Sequence, residues 1–121
     1  MTVTPAQVNE LIRKRRAIFP NSFTGKPITR ETIEEILENA NWAPTHRLTE
    51  PWRFKVLVSG ALERLSKYLG EYYKSHTPEE DFSELKFTKA KGKPMKSACV
   101  IAVCMKRDPE ERVPEWEEIA A

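Results

Sequence analysis

Cysteine and histidine are scarce in this 121-residue sequence: Cys99, Cys104, His46 and His76 are all it has. No CxxC or HxxxH spacing links them, so a zinc site has nothing to be built from. Cys99 and Cys104 fall in one predicted strand, where about 3.3 Å per residue holds their backbones about 16 Å apart. A disulfide needs Cα atoms within about 7 Å, so the expectation is two buried thiols in a reducing compartment. Long apolar runs are missing too. The longest, Ala98 to Met105, falls far short of the roughly 20 residues that cross a bilayer, and Met1 to Arg16 lacks the apolar centre of a signal peptide. The reading is a cytoplasmic protein with no membrane partner. Nor does charge of one sign dominate. Twenty Lys and Arg against 18 Asp and Glu leave a formal charge of +2, too little for a nucleic-acid footprint. There is no internal repeat.

Hydrophobic residues make up 40% and charged residues 31% of the chain, a mix that folds rather than stays disordered. The length suits one domain, residues 1–121, and leaves no room for a second. A first helix opens at Thr4-Pro5-Ala6-Gln7, where Thr4 can cap, Pro5 suits the first helical position and Gln7 can close a capping box. Val8, Leu11 and Ile12 give it one apolar stripe ending in Arg13-Lys14-Arg15-Arg16. Thr29 caps a second helix with Ile33, Ile36, Leu37 and Ala40 on its buried face, ending near Trp42 because Pro44 follows. Arg53 to Val58 reads as a strand, and Ser59-Gly60 turns it into a third helix along Leu62, Leu65, Leu69 and Tyr72.

From Lys74 to Lys96 the periodicity breaks down into charges, prolines and isolated aromatics, which predicts a long excursion with one short helix at most. Ala98 to Met105 has the continuous apolar character of a strand covered on both faces. Pro114 and the acids after it begin a further helix, which stops after two turns with no closing signal and with Trp116, Ile119 and Ala120 lacking a following element to pack against.

Two segments can carry chemistry. Arg13 to Arg16 sit where a helix dipole favours cations, which is a routine stop signal. Guanidinium forks there can also hold a phosphate bidentately, although against the dipole. The loop Trp42-Ala43-Pro44-Thr45-His46 through Glu50-Pro51-Trp52-Arg53-Phe54 is rigid and aromatic. Its tryptophans can simply fill core space, and His46 is either a loop hydrogen-bonder or a proton carrier.

Arg15-Arg16-Ala17-Ile18-Phe19, followed some two dozen residues later by Ala43-Pro44-Thr45-His46 and Glu50-Pro51-Trp52-Arg53-Phe54, resembles the opening of the nitroreductase family. The resemblance covers the first 60 or so residues well and the rest in outline. It implies an α+β fold, a central, mainly antiparallel sheet flanked by helices, incomplete at the C-terminus relative to the family's longer domain. It also implies FMN bound at a homodimer interface, hydride from NADH or NADPH as co-substrate, and a nitroaromatic, quinone or related small-molecule electron acceptor. The cofactor does the chemistry, so no side chain is assigned as catalytic. By the same resemblance Arg15, Arg16 and Ala17 approach the FMN phosphate, ribityl chain and pyrimidine edge, while Trp42 and His46 reach FMN from the partner subunit. Ala17 stands where the family commonly has Ser, which removes a hydroxyl and keeps the backbone N–H. Glu50 stands where Gln often precedes Pro-Trp, which leaves an acceptor in place of a donor. The competing readings are a truncated chain of this fold that folds or dimerises without flavin or activity, and nucleic-acid binding through Arg13 to Arg16, for which stacking aromatics and a wider basic surface are lacking.

Overall fold

The computed structural model describes residues 2–121. Helix α1 spans Pro5–Lys14, and its start is the capping box the sequence predicts: the Thr4 hydroxyl accepts from Gln7 N–H at 3.3 Å and the Thr4 N–H donates to Gln7 Oε1 at 2.9 Å. The helix ends at Lys14 rather than at Arg16, because Arg15 leaves the α region with ψ 129° while its N–H still closes on Leu11 O. Helix α2, Arg30–Asn41, is capped by Thr29, whose hydroxyl accepts from Thr32 N–H. After a 3-10 turn at His46–Leu48 comes strand β1, Trp52–Leu57, and then helix α3, Gly60–His76.

The segment from Lys74 to Lys96 corrects the expectation of an excursion. Helix α3 runs through to His76, a 3-10 turn follows at Glu79–Asp81, and helix α4 covers Glu84–Met95 behind a Ser83 cap. The sequence hides α4 because Gly92 and Pro94 read as helix breakers, and its less exposed side chains, Phe87, Ala90 and the buried Pro94, stand among exposed lysines. The Phe87 ring packs near Tyr73 and Phe82 and carries the Lys74 and Lys91 ammonium groups at 4.7 and 5.2 Å from its centroid. Helices α3 and α4 form the most extensive helix pair among the described residues. Ser66 Oγ donates to Lys91 O at 2.8 Å across it.

Strand β2, Val100–Met105, pairs antiparallel with β1, from Trp52 opposite Met105 to Leu57 opposite Val100. The two strands form a two-stranded sheet. Burial on both faces of β2 is not what is found: Val103 is exposed and the remaining positions are at most half-buried. The physical reason is that β1 is its one strand neighbour among the described residues. The thiols differ in the same sense, being free and half-buried, with burial pushing the Cys99 thiol up from its ordinary range. The last helix, α5, is Glu115–Ala120.

The core is narrow. Ile33 of α2, Trp52 of β1, Leu62 of α3 and Val113 are buried, with Pro51 enclosed completely. Trp52 Nε1 donates to Asn41 Oδ1 at 3.0 Å, which ties the end of α2 to the start of β1. Ile33 and Leu62 also line an apolar groove of about 810 Å³ together with Leu37, Val56 and Ala98. By contrast α1 buries nothing: Leu11 is 74% exposed and Ile12 similarly bare, as are Ile18 and Phe19 in the segment that follows it. Among the described residues no helix is long and apolar enough to cross a membrane.

Candidate functional site

The two predicted segments are built differently. Arg15, Arg16 and Ala17 follow α1 as exposed, non-helical backbone. Arg16 folds back so that Nη1 donates to Arg13 O at 2.7 Å and to Arg15 O at 2.9 Å. The guanidinium thereby caps carbonyls that a helix end leaves unpaired, offsetting the negative end of the dipole that opposes an anion there. Its Nε and Nη2, the whole Arg15 guanidinium and the Ala17 N–H meet no protein acceptor among the described residues. A set of exposed donors without acceptors suits a phosphate, so the residues present fit an FMN phosphate in donor chemistry.

The second segment is strained. Arg47 (φ 55°), Leu48 (φ 54°) and Glu50 (φ 43°) all lie in the left-handed region without being glycine, each at a cost of about 1–2 kcal/mol. Such outliers persist where surrounding contacts hold them, and they collect at ligand sites. The holding contacts are Leu48 N–H to Thr45 O and Glu50 N–H to Thr45 Oγ1, both 3.3 Å, and Arg53 Nη1 to Glu50 O at 2.9 Å. A longer-range contact joins them, in which His46 Nδ1 lies 2.6 Å from Glu117 Oε2. Trp42, at the C-cap of α2, is 80% exposed, whereas Trp52 is buried. The two loop tryptophans therefore separate, one into the core and one presenting a bare aromatic face.

Trp42, His46 and Glu50 thus share one loop, and Arg15 to Ala17 form another surface. No hydrogen bond or ion pair joins the two among the described residues. The groove of about 810 Å³ is lined by none of the six.

Sequence reasoning missed the cluster that carries α5. Glu118 is 3% exposed; its carboxylate accepts from Arg107 Nη1 and from the Asp108 N–H at 2.9 Å, and Arg107 Nη2 reaches Val113 O at 2.8 Å. Asp108 in turn takes Arg112 bidentately, Nε at 2.9 Å and Nη2 at 3.1 Å. The Arg112 guanidinium holds the Asp108 carboxyl below the ordinary carboxylate range. The signal was the alternation of Arg107, Asp108 and Arg112 ahead of an acidic helix, which reads equally as a polar turn followed by dipole-favoured acids.

A helical hairpin inserted between two antiparallel strands, with an amphipathic helix ahead of them, defines an α+β arrangement found in a solved nitroreductase-like family protein from Bacillus cereus. The likeness has a TM-score of 0.72 at 24% identity and covers 100% of this chain and 60% of that one. The chain belongs to the nitroreductase family, whose family model matches residues 12–121. Among curated relatives, the nitrobenzene nitroreductase of Ectopseudomonas oleovorans is 35% identical over 68 residues, 56% of this chain and 29% of its own. The chloronitrobenzene nitroreductase of Comamonas testosteroni is 34% identical over 67 residues, 55% of this chain and 29% of its own. The matched stretch is under a third of the length of both relatives.

Proposed function

We propose that this chain is the FMN-holding part of an oxidoreductase that passes electrons from NADH or NADPH to a nitroaromatic, quinone or related small molecule, and that it works as a homodimer. The observation that carries the reading is the donor set at Arg15, Arg16 and Ala17, exposed, consecutive in sequence and without protein acceptors. The names of the relatives, nitroreductases of nitrobenzene and chloronitrobenzene, point to the same chemistry. FMN, when bound, supplies the hydride acceptance and electron transfer. The Arg15 and Arg16 forks bind its phosphate, and the Ala17 N–H donates in place of a hydroxyl. Trp42, His46 and Glu50 serve the site of the neighbouring subunit, with Trp42 excluding water from a flat ring and Glu50 accepting at its edge. The bare Leu11, Ile12, Ile18 and Phe19 surface is what a second subunit covers. Residues 1–121 constitute part of a single domain of this type.

Flavin titration of alanine variants tests the reading. Charge-assisted hydrogen bonds are the strong ones, so Arg15→Ala or Arg16→Ala weakens FMN binding by about tenfold or more. Arg13→Ala and Lys14→Ala, whose side chains sit on the last helical turn, change it little. Equal affinities for all four return the cluster to a plain helix stop. A second reading, that these residues fold and pair without holding flavin, is favoured by the Arg16 guanidinium, whose Nη1 is already spent on the Arg13 and Arg15 carbonyls. A yellow preparation with flavin absorbance excludes it.

A further inference from the structure

The His46–Glu117 contact spans 71 residues of sequence and ends on the strained loop. An exposed ion pair of two mobile side chains is worth little, but Glu117 is not mobile in that sense. Its neighbour Glu118 is driven into the protein and fastened by Arg107 and the Asp108 N–H. Adjacent residues on a helix project about 100° apart, so turning Glu118 inward fixes the direction in which Glu117 leaves α5, and that direction is toward His46. The His46 ring is largely exposed while the Glu117 side chain is half-buried. The carboxylate is therefore the fixed partner and the imidazole the one being held.

We propose that Glu117 is a positioning residue: it accepts the Nδ1–H of His46, sets the ring tautomer and pins the loop of residues 45–50, in which Arg47, Leu48 and Glu50 are left-handed. A carboxylate can only accept, so the nitrogen facing Glu117, Nδ1, carries a proton, and in the neutral tautomer that this contact selects the other nitrogen, Nε2, is the acceptor. The same contact adds a long-range restraint to a loop whose other restraints are local, which is what a backbone with three left-handed non-glycine residues requires. That Nε2 faces a flavin or its electron acceptor rests on the functional reading above; the pairing and the pinning do not.

The test is NMR of the imidazole nitrogens of the full 121-residue chain, with FMN titration of the same samples. The expected result is a protonated Nδ1 and an acceptor Nε2 in the wild type. In Glu117→Ala the ring changes tautomer, amide exchange across residues 46–50 quickens at least tenfold, and FMN affinity falls several-fold. Glu117→Gln, which keeps an acceptor oxygen, restores the tautomer and most of the affinity, and Glu115→Ala, on the exposed start of α5, leaves all three readouts alone. An unchanged His46 tautomer and unchanged loop exchange in Glu117→Ala overturn the proposal, as does an equal loss in Glu115→Ala. A wild-type chain that takes up no FMN, but whose His46 signals and loop exchange still respond to Glu117→Ala, overturns the flavin reading and upholds the pairing.

Discussion

Gly70 lies where α3 crosses α4, and replacing it by alanine sets two effects of similar size against each other. In a helix interior alanine is favoured over glycine by about 1 kcal/mol. The added methyl, however, sits 2.8 Å from both Cγ and Cδ of Lys91 and 3.1 Å from Cε2 of Phe87, well inside the carbon separation of about 3.5–4.0 Å at which contact is attractive. Swinging the Lys91 stem aside takes its ammonium off the Phe87 ring, and the helix backbone that carries it is held by Ser66 Oγ donating to Lys91 O. Overpacking of this kind costs about 1–3 kcal/mol, so Gly70→Ala should destabilise by about 1 kcal/mol net. Gly92 in α4 is the internal control. A methyl added there meets nothing within 4 Å, and Gly92→Ala should stabilise by close to the full propensity difference of about 1 kcal/mol. In a Lys91→Ala background two of the three short contacts disappear, and Gly70→Ala should turn stabilising, a coupling of about 1–2 kcal/mol. Urea unfolding midpoints of the wild type, the two glycine variants, Lys91→Ala and the Gly70/Lys91 double variant measure all of it. The reasoning is refuted if Gly70→Ala stabilises as much as Gly92→Ala, or if the cycle is additive within about 0.5 kcal/mol.

Three further outcomes are expected. The Asp108 carboxyl has a folded-state pKa held below its unfolded value by Arg112, so its contribution is complete above the ordinary carboxylate pKa of about 3.9 and fades as the pH falls below that toward the depressed value; acid unfolding of Asp108→Asn should be less steep in that window, and an unchanged profile counts against the pairing. Trp52→Phe removes the indole donor to Asn41 Oδ1 and should cost about 1 kcal/mol in denaturant unfolding, whereas a neutral result would mean that Asn41 finds water equally well. Residues 1–121 should be dimeric by light scattering and should oxidise NAD(P)H poorly even where they bind FMN, because the groove between α2, β1 and α3 and the outer side of β2 stay uncovered; a monomer, or brisk turnover, contradicts the respective half of this statement.

Sequence reasoning did best where one local force decides. Thr4, Pro5 and Gln7 fix the start of α1, the spacing of Ile33 and Leu37 fixes α2, and β-formers fix β1. It failed on α4 because Gly92 and Pro94 read as breakers, while Phe87, Ala90 and Pro94 form too short an apolar side to count among the exposed lysines. It overestimated the cover of β2 because a continuous apolar run reports what a strand requires rather than what lies beside it. In the candidate site the loop from Trp42 to Glu50 was recognisable as a segment, but its left-handed residues Arg47, Leu48 and Glu50 were not. The contribution of Glu117 was not, because nothing in the order of residues brings positions 46 and 117 together; that proximity follows from the buried pairing of Glu118 with Arg107, a tertiary event.

The placement of the α3–α4 hairpin between the two strands has a kinetic side. Leu57 and Val100 pair across a connection of about forty residues, and closing so long a loop from a disordered chain carries an entropy cost that grows with the logarithm of its length and falls on the folding rate. Formed first, the hairpin shortens that connection to the few residues at its two ends and delivers β1 and β2 already side by side. Helices joined by a short turn assemble quickly, and the Tyr73, Phe82 and Phe87 cluster is nearly local in sequence. Substitutions in that aromatic cluster should therefore slow refolding in stopped-flow measurements, and those at Arg107 or Glu118 should mainly speed unfolding. Sheet formation in this chain is then gated by a helical element that belongs to neither strand.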